Sequence, residues 1–332
     1  MNVWLLSDGL PGHVNQARAI AVLLGLEFTE VPARLRHKLW RPVLKFALLM
    51  PLSNRLVDWL LSITYQLVQL SEQPTLVISA GGNTSFANAL LARRHRSRNF
   101  FIGSLRGLSP AAFTAVFTLE PIGTNNNVVM AVPPSPLMLA ELAEAGAAYR
   151  ATLAEPSEKL WAMVIGGDGA GFQFQPADWS ALTSAMTQLS DQYHCRWLLT
   201  TSRRTGLSAE QLLRSQIPTE ILADAVWYGN APRPVMKSFL GAAERIFVTA
   251  DSMSMLADAM ATARPVYALL PRQSAPDERY QSALSRFADN GFLAEAEMST
   301  LGMQVNPDAD VPNQAIERWH EDLRARVLPL LS

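Results

Sequence analysis

Short apolar runs, often β-branched, recur along this chain with turns and helical patterns between them, and that alternation restricts its fold more than any other feature. They fall at residues 3–6, 75–78, 100–102 and 115–117, and again at 160–165, 197–200, 246–249 and 266–270. Strands that alternate with helices need crossover connections and so assemble parallel sheets covered on both faces. A chain of 332 residues also exceeds what one hydrophobic core usually supports. The pattern predicts an α/β protein of two doubly wound, Rossmann-like units facing a cleft. The stretch LAELAEAGAAYRATLAEP at 139–156 is helical by propensity and closed by Pro156, so the boundary is expected between 150 and 158. This gives domains at 1–152 and 153–313, with a terminal helix at 314–332 expected to pack back on the first.

Composition narrows the function. Apolar residues make up 49% of the chain and charged ones 17%, which suits a folded protein rather than a disordered one. A net charge of -1 supplies no basic excess to neutralise phosphates, so no nucleic-acid partner is expected. The single cysteine, Cys195, permits no internal disulfide and fits a reducing cytoplasm. No secretory signal and no spanning apolar segment are legible. Asp308 and Asp310 resemble a metal-binding pair but stand in a polar linker, so no metal is expected there.

Residues 34–67 stand apart. Six Arg or Lys residues precede the first acid, Asp58. Trp40, Val43, Leu44 and Ala47 share one helical face and Leu56, Trp59, Leu60 and Ile63 another, which predicts two amphipathic helices broken near Pro51. Such a segment serves either as core packing with a solvated basic side or as a surface that dips into an anionic leaflet. A second basic cluster, Arg93, Arg94, His95, Arg96 and Arg98, would reinforce the latter if it faced the same way.

In parallel sheets, ligands sit at the carboxyl ends of strands. Several turns there carry suitable chemistry. The first contains Asp8, Gly12 and His13, and the second Gly81, Gly82 and Asn83. GGDGAG holds Gly167, Asp168 and Gly169, TTSRRT holds Thr201, Ser202 and Arg203, and TADSMS holds Asp251, Ser252 and Ser254 ahead of a helix with Asp258. Glycine-rich backbone can cradle a diphosphate, and hydroxyls and guanidiniums donate to its oxygens. Neither the first two turns nor GGDGAG has the Walker spacing or a ribose-binding acid about twenty residues on, which disfavours ATP and dinucleotides.

The stretch VTADSMSMLADAMATARPVYAL resembles the nucleotide-sugar signature of GT-B glycosyltransferases, distantly that of the lipid-linked peptidoglycan N-acetylglucosaminyltransferase. Asp258 takes the place of the acid, as Asp where Glu is usual, and Pro265 that of the proline, with Ala263 and Arg264 where Gly is common. WLLSDGLPGHVNQA, IGGDGAGF, LLTTSRRT and VTADSMSM together are similar to bacterial relatives of the plant mitochondrial-fission (elongated-mitochondria) family, over most of the chain. The resemblance implies a GT-B-like fold and a nucleotide-sugar donor on the second domain. Gly167 and Gly169 would lie at the phosphates, Arg203 or Ser202 would assist, Ser252 and Ser254 would lie near phosphate or ribose, and Asp258 would take the ribose hydroxyls.

The acceptor would enter beside Asp8 and His13, with His13 as general base because its ordinary pKa suits proton abstraction at neutral pH, and Asp8 either doing the same or orienting His13. Backbone donors and a helix dipole can hold the leaving diphosphate, so no metal or other cofactor is expected. The leading reading is a metal-independent glycosyltransferase, peripheral on the inner membrane, that acts on a lipid-linked envelope acceptor. The alternatives are a non-catalytic recruitment protein on the same scaffold and a nucleotide-sugar epimerase.

Overall fold

The computed structural model describes residues 1–67, 72–305 and 315–331; the Asp308/Asp310 pair lies outside the described residues. The chain divides into two compact units, Met1–Pro136 with Trp319–Ser332, and Leu137–Arg318.

The first unit runs β1 (Val3–Ser7), α1 (Pro11–Leu23), β2 (Thr29–Leu35), α2 (Arg41–Leu49), α3 (Asn54–Thr64), β3 (Tyr65–Leu67), β4 (Leu76–Ala80), α4 (Ser85–His95), β5 (Arg98–Ile102), β6 (Ala115–Thr118) and β7 (Asn127–Val129). Its seven strands are ordered β3-β2-β1-β4-β5-β6-β7, all parallel except the β2–β3 pair. From β1 the chain winds one way to β2 and then the other way from β4. The turns after β1 and β4 therefore meet at the switch point where such sheets bind ligands.

The second unit runs α5 (Leu139–Arg150), β8 (Lys159–Ile165), β9 (Phe172–Gln173), α6 (Pro176–Tyr193), β10 (Cys195–Thr201), α7 (Leu207–Gln216), β11 (Leu222–Val226), α8 (Met236–Ala242), β12 (Arg245–Thr249), α9 (Met253–Met260), β13 (Val266–Leu270), β14 (Gln273–Ser274), α10 (Glu278–Asp289), β15 (Ala294–Glu297) and α11 (Leu301–Gln304). Its main sheet is parallel, in the order β11-β10-β8-β12-β13-β15. Here β8 is the starting strand and the switch lies between β8 and β12. Aromatic side chains tie the centre of this sheet together. Trp161 of β8 lies opposite Trp197 of β10, their ring centroids 5.5 Å apart, and Phe247 of β12 stacks on Tyr267 of β13 at 4.9 Å. Such pairs add to the area they bury and hold the register across strands.

Two expectations need adjustment. The division falls at Pro136/Leu137, ahead of 150–158, because α5 packs on α8 of the second unit. Gly146 and Gly241 face each other so closely that a Cβ on either would strike the other helix's backbone. The sequence pattern also passes over β2, β3, β7, β11 and β15, which are short or laden with polar residues. In β2 only Val31 and Ala33 are buried.

At the far end, α12 (Ala315–Val327) returns to the first unit from Trp319 onward. There Arg324 Nε donates to Leu23 O at 2.6 Å and Arg98 Nη1 donates to Leu331 O at 2.9 Å.

The two helices expected in 34–67 are α2 and α3, but their faces are turned from the expected ones. Leu44, Ala47 and Leu60 point inward, joined by Val57 and Leu61, while Val43, Leu56 and Trp59 point to solvent. The cluster at 93–98 is largely engaged. Arg93 donates to the carbonyls of Met50 and Leu52, and Arg94 bonds Asp58 at 2.8 Å, so these arginines fasten the α2–α3 turn to α4. Among the described residues, no helix is long and apolar enough to cross a membrane.

Candidate functional site

Within the second unit, the three expected turns come together because β8, β10 and β12 are neighbours. Gly166 N donates to Thr249 Oγ1 at 2.7 Å, and Thr205 Oγ1 donates to the Gly166 carbonyl. Arg204 ion-pairs with Asp251, whose side chain is 0% exposed. Burial pushes the Asp251 carboxyl up from its ordinary pKa, against the Thr249 hydrogen bond and the Arg204 charge, which favour its ionised form.

The glycines of GGDGAG serve this packing. A Cβ at Gly166 would collide with the Asp251 carboxylate, and one at Gly167 with the Arg204 carbonyl. The crevice between these turns is thus filled by the Asp251 carboxylate and the Arg204 backbone. Gly169 lies beside the Arg204 guanidinium, at the rim.

Several other expected residues also hold turns. Asp168 Oδ1 accepts from Phe174 N at 2.9 Å. Thr201 Oγ1 donates to Glu210 Oε1 at 2.5 Å and accepts from Tyr228 N at 2.8 Å. Glu210, buried, also takes Gly229 N at 3.1 Å, so it locks the β10 turn to the one after β11. Ser202 Oγ accepts from Arg204 N at 3.1 Å, and Arg203 is exposed. Ser252 is the N-cap residue of α9 without a side-chain capping bond, and its hydroxyl lies 3.2 Å from that of Ser254.

Asp258 lies on the wall of a cavity of about 470 Å³ that also takes in the carboxyl ends of β8 and β10. Val164, Val235, Met236 and Met255 give it an apolar lining, and Thr200, Ser202, Arg233, Lys237 and Asp258 give it polar groups. An apolar hollow with a few convergent polar side chains is the usual form of a small-molecule site. Arg233 and Lys237 escape a reading based on glycine turns, since they precede and open α8 rather than follow a strand.

In the first unit the Asp8–His13 pair is formed. His13 Nδ1 lies 2.8 Å from Asp8 Oδ2, and with Nδ1–H donated there the neutral ring keeps its lone pair on Nε2. Gly81, at φ +86°, accommodates this ring, because a Cβ would overlap it. The same turn is held from the other side. Arg41 Nη2 donates to Asn83 Oδ1 at 2.6 Å and Tyr65 OH donates to Asn83 O at 2.6 Å, burial keeping that phenol protonated. Gly12 opens α1 with nothing within 4 Å of where a Cβ would project. Among the described residues, no group of His, Cys, Asp and Glu could hold a metal ion.

Two doubly wound units in one chain, each with its turns gathered at a switch point, define a GT-B-type α/β protein. The chain belongs to the mitochondrial fission ELM1 family, whose family model matches residues 11–321. No curated protein matches the sequence. Among solved structures it is similar to S. aureus MnaA in a co-structure with UDP, at 12% identity over 98% of this chain and 91% of that one, with a TM-score of 0.51. The glycotransferase of kitacinnamycin shares 12% identity over 100% of this chain and 95% of its own, at a TM-score of 0.50. Acinetobacter baumannii MurG shares 14% identity over 98% and 94%, at 0.45. The likeness to the first two of these structures shows the fold.

Proposed function

We propose that the protein is a metal-independent glycosyltransferase whose second unit holds a nucleotide-sugar donor and whose first unit serves a membrane-associated glycolipid acceptor. The observation that carries the reading is the cavity beside Asp258. Its volume suits a nucleoside, Asp258 can accept from ribose hydroxyls, and Ser202 on the same wall and the Ser252/Ser254 hydroxyls at the start of α9, the helix that carries Asp258, can meet the diphosphate. On the acceptor side, Nε2 of His13 can take the proton from an attacking hydroxyl, with Asp8 steadying the imidazolium that results.

Thermal-shift measurements against UDP, GDP, ADP and CMP sugars test the donor site. At a hundredfold excess over Kd, binding adds about 2.7 kcal/mol of stability and should raise the Tm by several degrees. Asp258→Asn should weaken the responding nucleotide about tenfold, the scale of one charge-assisted hydrogen bond. A wild type indifferent to every nucleotide removes the donor site. The occupied glycine crevice, with Asp251 beneath Arg204, favours a second reading in that case: a recruitment protein that has kept the scaffold.

The membrane side rests on α2, α3 and their flanks. Leu39 is 88% exposed, Phe46 64% and Trp59 57%, beside Lys38, Lys45 and Arg55. Apolar side chains ringed by cations suit the interface of an anionic leaflet. Co-sedimentation with vesicles containing phosphatidylglycerol should be strong at low salt, fall as salt rises, and drop severalfold in Phe46→Ser/Trp59→Ser. Equal sedimentation of that variant and the wild type would reduce this surface to solvated packing.

A further inference from the structure

We propose that the first unit carries an anion site for a phosphate ester of at least two negative charges, built by Arg34, Arg41, Lys45 and Arg106 at the carboxyl edge of its sheet. Arg34, Arg41 and Lys45 lie outside the glycine turns and Arg106 lies in the one after β5, yet each reaches a turn other than its own. The Arg34 guanidinium covers Gly9 after β1, at φ +83°, close enough to exclude a Cβ. Arg106 covers Gly82 after β4, and Lys45 Nζ lies 3.0 Å from where a Cβ of Gly107 would be, after β5. Arg41 holds Asn83 through Nη2, while its Nε is buried with no hydrogen-bond partner among the described residues. A buried guanidinium N–H left unmatched is costly, and it marks a place where an acceptor is wanted.

Topology explains the convergence. β1, β4 and β5 are adjacent and parallel, so their turns share one edge, and α2 carries Arg41 and Lys45 four residues apart on one face, Arg41 to Asn83 after β4 and Lys45 to Gly107 after β5. Asp8, the carboxylate in these turns, is engaged by His13 and by Leu10 N. The glycines let cations and backbone approach closely, Arg106 itself adopts a left-handed φ of 49° to reach Gly82, and guanidiniums match phosphate oxygens in pairs. The other face of α2 presents Val43 and Phe46 to solvent. A phosphate at this edge therefore sits next to the surface proposed to meet a bilayer. The site deepens the acceptor side of the transferase reading and rests on it only for the molecule that bears the phosphate.

Hydrogen exchange of the full chain with inorganic pyrophosphate at low salt tests the site. Pyrophosphate should slow exchange in residues 81–84 and 103–108, and Arg34→Gln/Lys45→Gln/Arg106→Gln should weaken that protection at least tenfold in apparent affinity. All three side chains are exposed, so the variant should fold, and unchanged Tm checks this. Protection confined to 166–171 and 202–205, no protection at all, or equal protection in a folded triple variant would each overturn the proposal. A protein that fails to bind any nucleotide sugar but passes this test loses the transferase reading and keeps the site. Vesicles separate the sources of phosphate. Stronger binding to phosphatidic acid than to phosphatidylglycerol at equal surface charge, abolished in the triple variant, assigns a lipid headgroup; pyrophosphate binding without that preference assigns a soluble ester.

Discussion

Replacing His13 with alanine should lower glycosyl transfer about 100- to 10,000-fold, the span attributed to a positioned general base, while leaving nucleotide binding on the second unit unchanged. The expectation follows from the pair at the switch point of the first unit. Asp8 Oδ2 takes the Nδ1 proton at 2.8 Å, which fixes the ring and leaves Nε2 to accept. Gly81 keeps the ring in place by having no side chain. A turnover assay with the donor that passes the thermal-shift screen, run beside donor binding, separates chemistry from affinity. Full turnover in His13→Ala would remove the base, and loss of donor binding with it would make His13 a structural residue.

The second large effect is structural. Gly241→Leu should destabilise the second unit by about 3 kcal/mol, the upper range for forcing volume into a packed interior. Both helices concerned are regular, so backbone freedom is not the reason glycine stands there. Gly146 on α5 and Gly241 on α8 meet backbone to backbone, with the Leu142 carbonyl also against Gly241. Leucine would push the helices apart and loosen what surrounds them, including the bond from Arg150 Nε to Ala242 O at 2.9 Å and the Lys237–Glu141 ion pair. Denaturant unfolding followed by tryptophan fluorescence reads the change directly. A midpoint equal to that of the wild type would show that α5 does not pack on α8.

The parts of this fold that announce themselves in sequence are those whose side chains are buried on both faces. The runs at 160–165 and 246–249 became β8 and β12, which are almost wholly apolar because helices cover both sides of the sheet. Edge strands carry no such signature. β11 and β15 are half exposed and contain Asp224, Glu295 and Glu297, so nothing in their composition separates them from loops.

The candidate site divides in the same way. Glycine turns at strand ends are legible because their residue types are unusual, and topology then brings them together. What occupies them is not legible. That Asp251 would fill the GGDGAG crevice with Arg204 depends on contacts between residues 47 apart, and that Arg41 would reach Asn83 depends on a helix folding back over 42 residues. The residue types located the turns, and the resemblance to the ELM1 family assigned them ligand roles without indicating which were already filled.

The return of α12 to the first unit has a bearing on how the chain is made. The second unit is assembled from consecutive residues and has all its parts once Arg318 has left the ribosome, whereas the first must wait for the helix that docks on the Leu23 carbonyl. The half whose synthesis starts later is therefore finished earlier, and the amino-terminal sheet spends most of translation without its final cover.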